Sequence, residues 1–209
     1  LVFKALKDDT TRVTNVETGN VDLIMSVPQN QVERLEKNPN VKVTGGPGTW
    51  YDYLGLNQAK APFNNLKVRQ ALNLAINRDL IVRTVLFGKG TAIACGPIPP
   101  SHWAFASCKE QVFNQAKAKQ LLTEAGFANG FKMTIKVGAD YRSQVNIAQS
   151  IQAQLKPLGI DVTVAPMEWG AFLDDVTNKG NYEGVILGWI GSVDPDDFLY
   201  YQFRTGEKF

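Results

Sequence analysis

At 209 residues, with 44% hydrophobic and 20% charged residues and a formal net charge of +2, the chain has the make-up of a globular protein of one large or two small domains. The charge is spread without a basic block, which leaves no electrostatic footprint for nucleic acid, and no apolar run nears the roughly 18 residues that span a bilayer. One histidine, two cysteines and no Cys-x-x-Cys pair argue against a zinc site of the usual ligand types.

The chain opens on Leu1-Val-Phe3 without an initiator Met or a signal peptide and stops at Phe209, so it reads as a piece of a longer protein. Leu1 to Leu6 reads as a strand. Asp8 or Asp9 then caps a short helix carrying Val13 and Val16, which Gly19 ends. Val21 to Met25 reads as a second strand. Ser26-Val-Pro-Gln29 has the form of a capping box for a helix with Val32 and Leu35 on its apolar side. Val41 to Thr44 completes a β-α-β-α-β run with short connections, the pattern of an α/β unit.

Gly45-Gly-Pro-Gly48 is followed by Thr49-Trp-Tyr-Asp-Tyr-Leu-Gly-Leu-Asn57, which alternates like a strand. A phosphate-cradling loop would open into a helix instead, so a nucleotide site is excluded here. On that strand Trp50 shares a face with Asp52 and Leu54, and Tyr51 shares the other with Tyr53. One of the two faces can line a cleft; the alternative is that both are core.

Val68, Ala71, Leu72, Ala75 and Ile76 recur at helical spacing, and Asp79 is the expected cap of a second helix through Ile81, Val82 and Val85, with Gly88 as its stop. Gly96-Pro-Ile-Pro-Pro100 forces an extended segment that leads to His102 and Trp103, a pair that reads as packing rather than catalysis. Cys95 and Cys108 flank this segment, and either a disulfide or two free thiols fits their spacing. Asn114 caps a helix closed by Gly126. Phe131 to Val137 is a strand, and Ser143 to Leu158 a helix with Ile147, Ile151 and Leu155 inward, stopped by Gly159. Ile160 to Val164 is again a strand, and Trp169 to Thr177 a helix whose adjacent Asp174 and Asp175 point apart on a solvated face. Val185-Ile-Leu187 is a short buried strand that completes a second β-α-β-α-β run.

That last strand ends in Gly188-Trp-Ile-Gly191, where glycines let a backbone or a ligand come close. Asp194-Pro-Asp-Asp197 then has the form of a helix start with Asp194 as cap. A buried strand that opens into a helix N-terminus is a common ligand-holding place in α/β proteins. The candidate binding residues that this pattern offers are Trp50, Tyr51, Gly188, Trp189 and Asp194. Aromatic walls, strand-end backbone groups and one negative charge would hold a small solute. No Gly-x-Ser-x-Gly, His-Glu-x-x-His or Ser/His/Asp constellation supports an enzyme, and no catalytic, metal or cofactor residue is assigned.

Several stretches together resemble the family 5 extracellular solute-binding proteins of bacterial ABC importers, the dipeptide-, oligopeptide- and nickel-binding group. They are Pro62-Phe-Asn-Asn-Leu-Lys-Val-Arg-Gln-Ala-Leu-Asn-Leu-Ala-Ile-Asn-Arg-Asp79, Gly96-Pro-Ile-Pro-Pro100, Ala116-Lys-Ala-Lys-Gln-Leu-Leu-Thr-Glu-Ala-Gly126, and Gly188-Trp189 with Asp194-Pro-Asp196. Gly19-Asn-Val-Asp22 adds the family's Gly-x-hydrophobic-Asp element. The resemblance implies a two-lobe, periplasmic-binding-protein-like α/β fold (type II, cluster C), present as a fragment. Residues 1–53 would be part of the first lobe, 54–188 the second lobe with its hinge strands, and 189–209 the return into the first lobe. It implies a monomeric receptor, periplasmic or extracellular, that closes on a solute, most readily a short peptide, and hands it to ABC permease subunits. In peptide-binding members the segment matching Gly188 to Ile190 pairs with the ligand backbone. The acid that holds the ligand's amino terminus corresponds here to Ser192, a departure, with Asp194 two residues on, so the resemblance adds Ile190 and Ser192 to the candidate binding residues. The other readings are an opine, sugar-oligomer or metal-chelate binder, the sensing domain of a transcription regulator, and a hydrolase with a buried carboxylate.

Overall fold

The computed structural model describes residues 1–93, 96–108 and 112–206. Two helices come first, α1 (Asp9–Glu17) and α2 (Gln29–Glu36), followed by strand β1 (Trp50–Leu56). Helices α3 (Leu66–Ala75), α4 (Arg78–Thr84) and α5 (Gln115–Glu124) come next. The second α/β run is β2 (Lys132–Gly138), α6 (Arg142–Leu155), β3 (Asp161–Met167), α7 (Trp169–Leu173) and β4 (Gly184–Ile190), and α8 (Asp196–Phe203) closes the described chain.

The four strands form one sheet in the order β1-β4-β2-β3. β2 is parallel to both β3 and β4, and β1 runs antiparallel to β4 in the register Trp50↔Ile190 to Leu56↔Gly184. Each face of the sheet is covered, as expected for a sheet whose central strand is a continuous apolar run. On one face Ile135, Val137 and Ile186 pack with Val68 and Leu72 of α3, Ala118 and Leu122 of α5, and Ile147, Ile151 and Leu155 of α6. On the other, Val185 and Leu187 pack with Phe172 of α7 and Val176 of the single π-turn (Asp174–Asn178) that continues it. Phe63, Phe172 and Phe198 are wholly buried, and each such side chain contributes about 1.5–3 kcal/mol.

Several helix starts carry a side-chain cap of the usual kind. Asp8 Oδ1 accepts the Thr11 N–H at 2.8 Å, and Asn65 and Asn114 cap α3 and α5 in the same way. The cap of α4 is Asn77, not Asp79: Asn77 Oδ1 accepts the Leu80 N–H at 2.9 Å, because the helix starts two residues earlier than expected. Ser26 does not cap α2. Its φ of 56° turns it out of the extended conformation that a cap requires, and α2 begins after Pro28 without a side-chain cap.

The larger correction concerns the first unit. The β-α-β-α-β run expected over residues 1–53 yields its two helices, but Leu1 to Leu6, Val21 to Met25 and Val41 to Thr44 form no strand among the described residues. Phe3, Leu23 and Met25 are 88%, 75% and 77% exposed, so no partner segment covers them. A strand's hydrogen bonds lie with its neighbour, and these segments have no neighbour here. The Arg12 guanidinium ties the region together instead. It donates to the Leu6 and Lys7 carbonyls at 3.0 and 2.9 Å, to the Ser26 carbonyl at 3.4 Å, and to the Asp9 carboxylate.

Candidate functional site

A cleft of about 1290 Å³ opens beside β1. Its walls are the segments around Asp9 and from Met25 to Gln29, strand β1, one side of α3 and α4, the loop after α4 from Leu86 to Ile93, and the first turns of α6. That position follows from the sheet order. β1 lies at the edge beyond β4, so its α6-side face stays uncovered past the reach of α6's apolar stripe.

Trp50, Asp52 and Leu54 share that face, as their alternation predicts. The Trp50 indole is 48% exposed and lies across Gly188 of β4. A Cβ on Gly188 would come within 2.0 Å of the Trp50 ring, so it is this ring that uses the room the glycine leaves. Trp50 Nε1 donates to Asp52 Oδ1 at 3.2 Å, and Gln144 Nε2 donates to the same oxygen at 2.8 Å. Asp52 keeps exposed surface, yet protein surrounds it at the base of the cleft. That desolvation pushes its carboxyl above the usual carboxylate range, and the hydrogen bonds from Gln144 and Trp50 offset only part of the rise. Gln144 is 2% exposed, and its Oε1 has no partner among the described residues.

Tyr51 points the other way. It is buried, its hydroxyl donates to Gln202 Oε1 at 2.7 Å, and its ring sits 6.2 Å from that of Phe198. Burial pushes its phenol up to about 12. Trp189 pairs with Tyr51 across the ladder, and its Nε1 donates to the Asp197 carbonyl at 2.7 Å, which fastens β4 to α8. Ile190 is exposed opposite Trp50.

Ser192 and Asp194 lie on the exposed loop between β4 and α8. Asp194 is not the N-cap of α8, which is Pro195: the helix starts one residue later than expected, and Asp194 Oδ1 accepts the Asp196 N–H at 2.9 Å in the turn before it, while Asp197 Oδ2 accepts the Ser192 N–H at 3.1 Å. Of the seven expected residues, Trp50 and Tyr51 border the cleft, Trp50 with its exposed indole and Tyr51 with its hydroxyl turned away to Gln202. Gly188 lies beneath that indole, and Trp189, Ser192 and Asp194 belong to the β4–α8 junction.

The Pro-rich segment braces this junction. His102 is 7% exposed, as a packing residue should be, and its Nδ1 accepts the Ala104 N–H at 3.1 Å. That bond places the ring proton on Nε2, which faces the Ser192 and Val193 carbonyls at 3.2 and 3.1 Å. Trp103 Nε1 donates to the Val193 carbonyl at 2.8 Å, and Ser101 Oγ to the Gly48 carbonyl at 2.6 Å. The expected Cys95–Cys108 pair lies partly outside the described residues, which omit Cys95; Cys108 is not a free thiol.

Asp52 and Gln144 were missed as site residues, although each leaves a mark in the sequence. Asp52 shares Trp50's face, and Gln144 is a polar residue on the inward stripe that continues through Ile147, Ile151 and Leu155. Among the described residues no cluster of three metal-ligating side chains forms, and no helix is long and apolar enough to cross a membrane.

The family described as bacterial extracellular solute-binding proteins, family 5 Middle, matches residues 1–209. The glutathione-binding protein GsiB of Escherichia coli (strain K12) is 33% identical over 202 residues, which are 95% of this chain and 39% of the relative. The periplasmic binding protein DppA of Helicobacter pylori, solved in complex with the peptide STSA, superposes with a TM-score of 0.87 at 37% identity, covering 94% of this chain and 38% of that one. AgaA of A. tumefaciens R10, in complex with agropinic acid, superposes with a TM-score of 0.82 at 29% identity over 97% of this chain and 41% of that one. The chain thus spans about two fifths of the length of the relatives it matches.

Proposed function

The chain belongs to the family 5 bacterial extracellular solute-binding proteins, and from that premise we propose that it is part of the substrate-binding component of an ABC importer. The solute is a short peptide or a similarly small polar molecule. It is taken up in the cleft beside β1, held as two lobes close, and delivered to a membrane permease. Residues 1–53 and 189–209 contribute to one lobe and residues 54–188 to the other, with β1 and β4 crossing between them. The protein works outside the cytoplasmic membrane, as a monomer, and performs no chemistry on its cargo.

The observation that carries this reading is the cleft itself. Its 1290 Å³ exceeds the roughly 300–1,000 Å³ of a typical small-molecule pocket. It is walled by an exposed indole, a carboxylate and the N-terminal turn of α6 rather than by a catalytic constellation. Relatives named for glutathione and peptide binding support the peptide class. A non-peptide solute is the second reading. It is favoured by Asp194, whose carboxylate is engaged in the turn before α8 and lies away from the cleft.

Native mass spectrometry of the full-length protein, purified without refolding, tests the reading. Co-purifying adducts that fragment as peptides are expected. A single discrete non-peptide mass would replace the peptide class with the second reading, and turnover of any bound solute would overturn the receptor.

A further inference from the structure

Asp52 has an unusual balance of partners. Both of its hydrogen bonds among the described residues, from Gln144 Nε2 and Trp50 Nε1, converge on Oδ1, and Oδ2 has none there. Among the described residues no lysine or arginine forms an ion pair with it. Six cations line the cleft. Arg12 is turned to the Leu6 and Lys7 carbonyls and Asp9, Arg69 to the Phe63 carbonyl, Arg78 to Asn73 and Lys89 to Glu36, and neither Lys7 nor Arg142 forms an ion pair with Asp52. A carboxylate that has lost much of its water and has no counter-charge is stabilised by any cation that reaches it.

The surroundings select which cation. A metal ion needs several oxygen, nitrogen or sulfur ligands, and Asp52 stands alone with an amide that already donates to it. A protonated nitrogen needs one carboxylate oxygen and gains from an aromatic face. Trp50 supplies that face. Its ring is half exposed and held in place at both ends, by its own N–H bond to Asp52 and by the bare surface of Gly188. Gln144, wholly enclosed, fixes the orientation of the carboxylate from below.

We propose that Asp52, framed by Trp50 and positioned by Gln144, is the subsite for a protonated amine of the captured solute, with the ammonium donating to Oδ2 and lying against the indole. The inference rests on the receptor reading above and adds to it the charge and placement of one ligand group. It also implies that an anionic group is rejected at this end of the cleft, because it would meet the Asp52 carboxylate.

Calorimetric titration of the full-length protein tests it, with the dipeptide Met-Leu, the tetrapeptide Ser-Thr-Ser-Ala and glutathione as probes. Each is used with a free amine and N-acetylated, against wild type and Asp52→Asn. For a probe that wild type binds, acetylation should weaken binding about ten- to a hundredfold, the usual effect of losing one charge-assisted hydrogen bond. Asp52→Asn should weaken the free-amine form by the same factor and make acetylation nearly neutral. If Asp52→Asn binds the free amine as wild type does, the ammonium lies elsewhere and the subsite is wrong while the receptor stands. If wild type binds none of the probes, the peptide receptor itself fails and takes the subsite with it. Retained affinity of Asp52→Asn for the acetylated probe verifies its fold. If that variant does not fold, Asp52→Glu, which keeps the charge but displaces it, is expected to lose affinity for the free amine only.

Discussion

Asp52 and Asp175 make opposite contributions to the pH dependence of stability. The Asp52 carboxyl is raised by desolvation, so the folded chain holds that proton more tightly than the unfolded one. Its favourable contribution is present below the ordinary carboxylate range and is lost as pH rises through the raised folded value. Asp175 is held below that range by the Lys136 ammonium, which lies 2.6 Å away. Its contribution is present above the ordinary range and is lost as pH falls through the lowered value. Asp52→Asn should therefore raise the melting temperature of the unliganded protein at pH 7 and leave it unchanged near pH 3. Asp175→Asn should lower the melting temperature at pH 7, by an amount that shrinks on acidification. Melting curves of both variants across this range check the two signs, and a loss of stability at pH 7 for Asp52→Asn would mean that its hydrogen bonds outweigh its desolvation. Alternation along β1 placed Asp52 with Trp50 but did not say which face the cleft would use. That depends on Gly188 lying under the indole, a contact between residues far apart in the chain.

Elements whose bonds are internal were legible, and those that depend on a distant partner were not. Each expected helix is present, and several have local caps or stops, such as Asn114 at the start of α5 and Gly159 at φ 77° after α6, whereas α2 and α6 form on their apolar stripes without a side-chain cap. The three strands expected before Thr44 are absent because their pairing groups would need a neighbour that these residues do not provide. Two features between elements are testable. A Cβ on Gly130, itself at φ 77°, would come within 2.1 Å of the Gly159 carbonyl oxygen, so Gly130→Ala combines left-handed strain with a backbone clash. It should cost about 2–5 kcal/mol in urea unfolding. The second is the His102 brace. His102→Ala removes the donor to the Ser192 and Val193 carbonyls and opens space beside Phe198, 5.2 Å from the imidazole. A loss of about 1–3 kcal/mol is expected, with faster hydrogen exchange confined to the β4–α8 loop. Unchanged exchange there would leave Trp103 as the main tie. His102 was legible as a packing residue, but the loop it holds was not, since the two are joined only by the fold.

For the molecule as a whole, the resemblance carried jointly by stretches between Gly19 and Asp196 identified the family, while the place of the cleft came only from the sheet order. β1 is an edge strand whose Trp50 face lines the cleft, and the aromatic-rich β4–α8 junction, from which most of the site was expected, packs on its other face through Tyr51. The proposed lobes have a dynamic consequence. Residues 54–188 hold both large buried clusters, one on each face of the sheet, whereas α1 and α2 bury only Val13 and Leu35 and are held largely by exposed pairs such as Arg34–Glu17. Exposed ion pairs contribute little, about 0–1 kcal/mol each. Amide exchange of the full-length protein should therefore protect β2, β3 and α6 most strongly, with α1 and α2 opening as a separate and less stable unit. Adding a bound solute should slow exchange at Trp50 to Asp52 and at the start of α6, the parts of the cleft that closure would cover, and leave β3 unchanged. If one rate profile covers residues 1–206 and a bound solute slows it evenly, the chain moves as a single body and the division near Tyr53 is wrong.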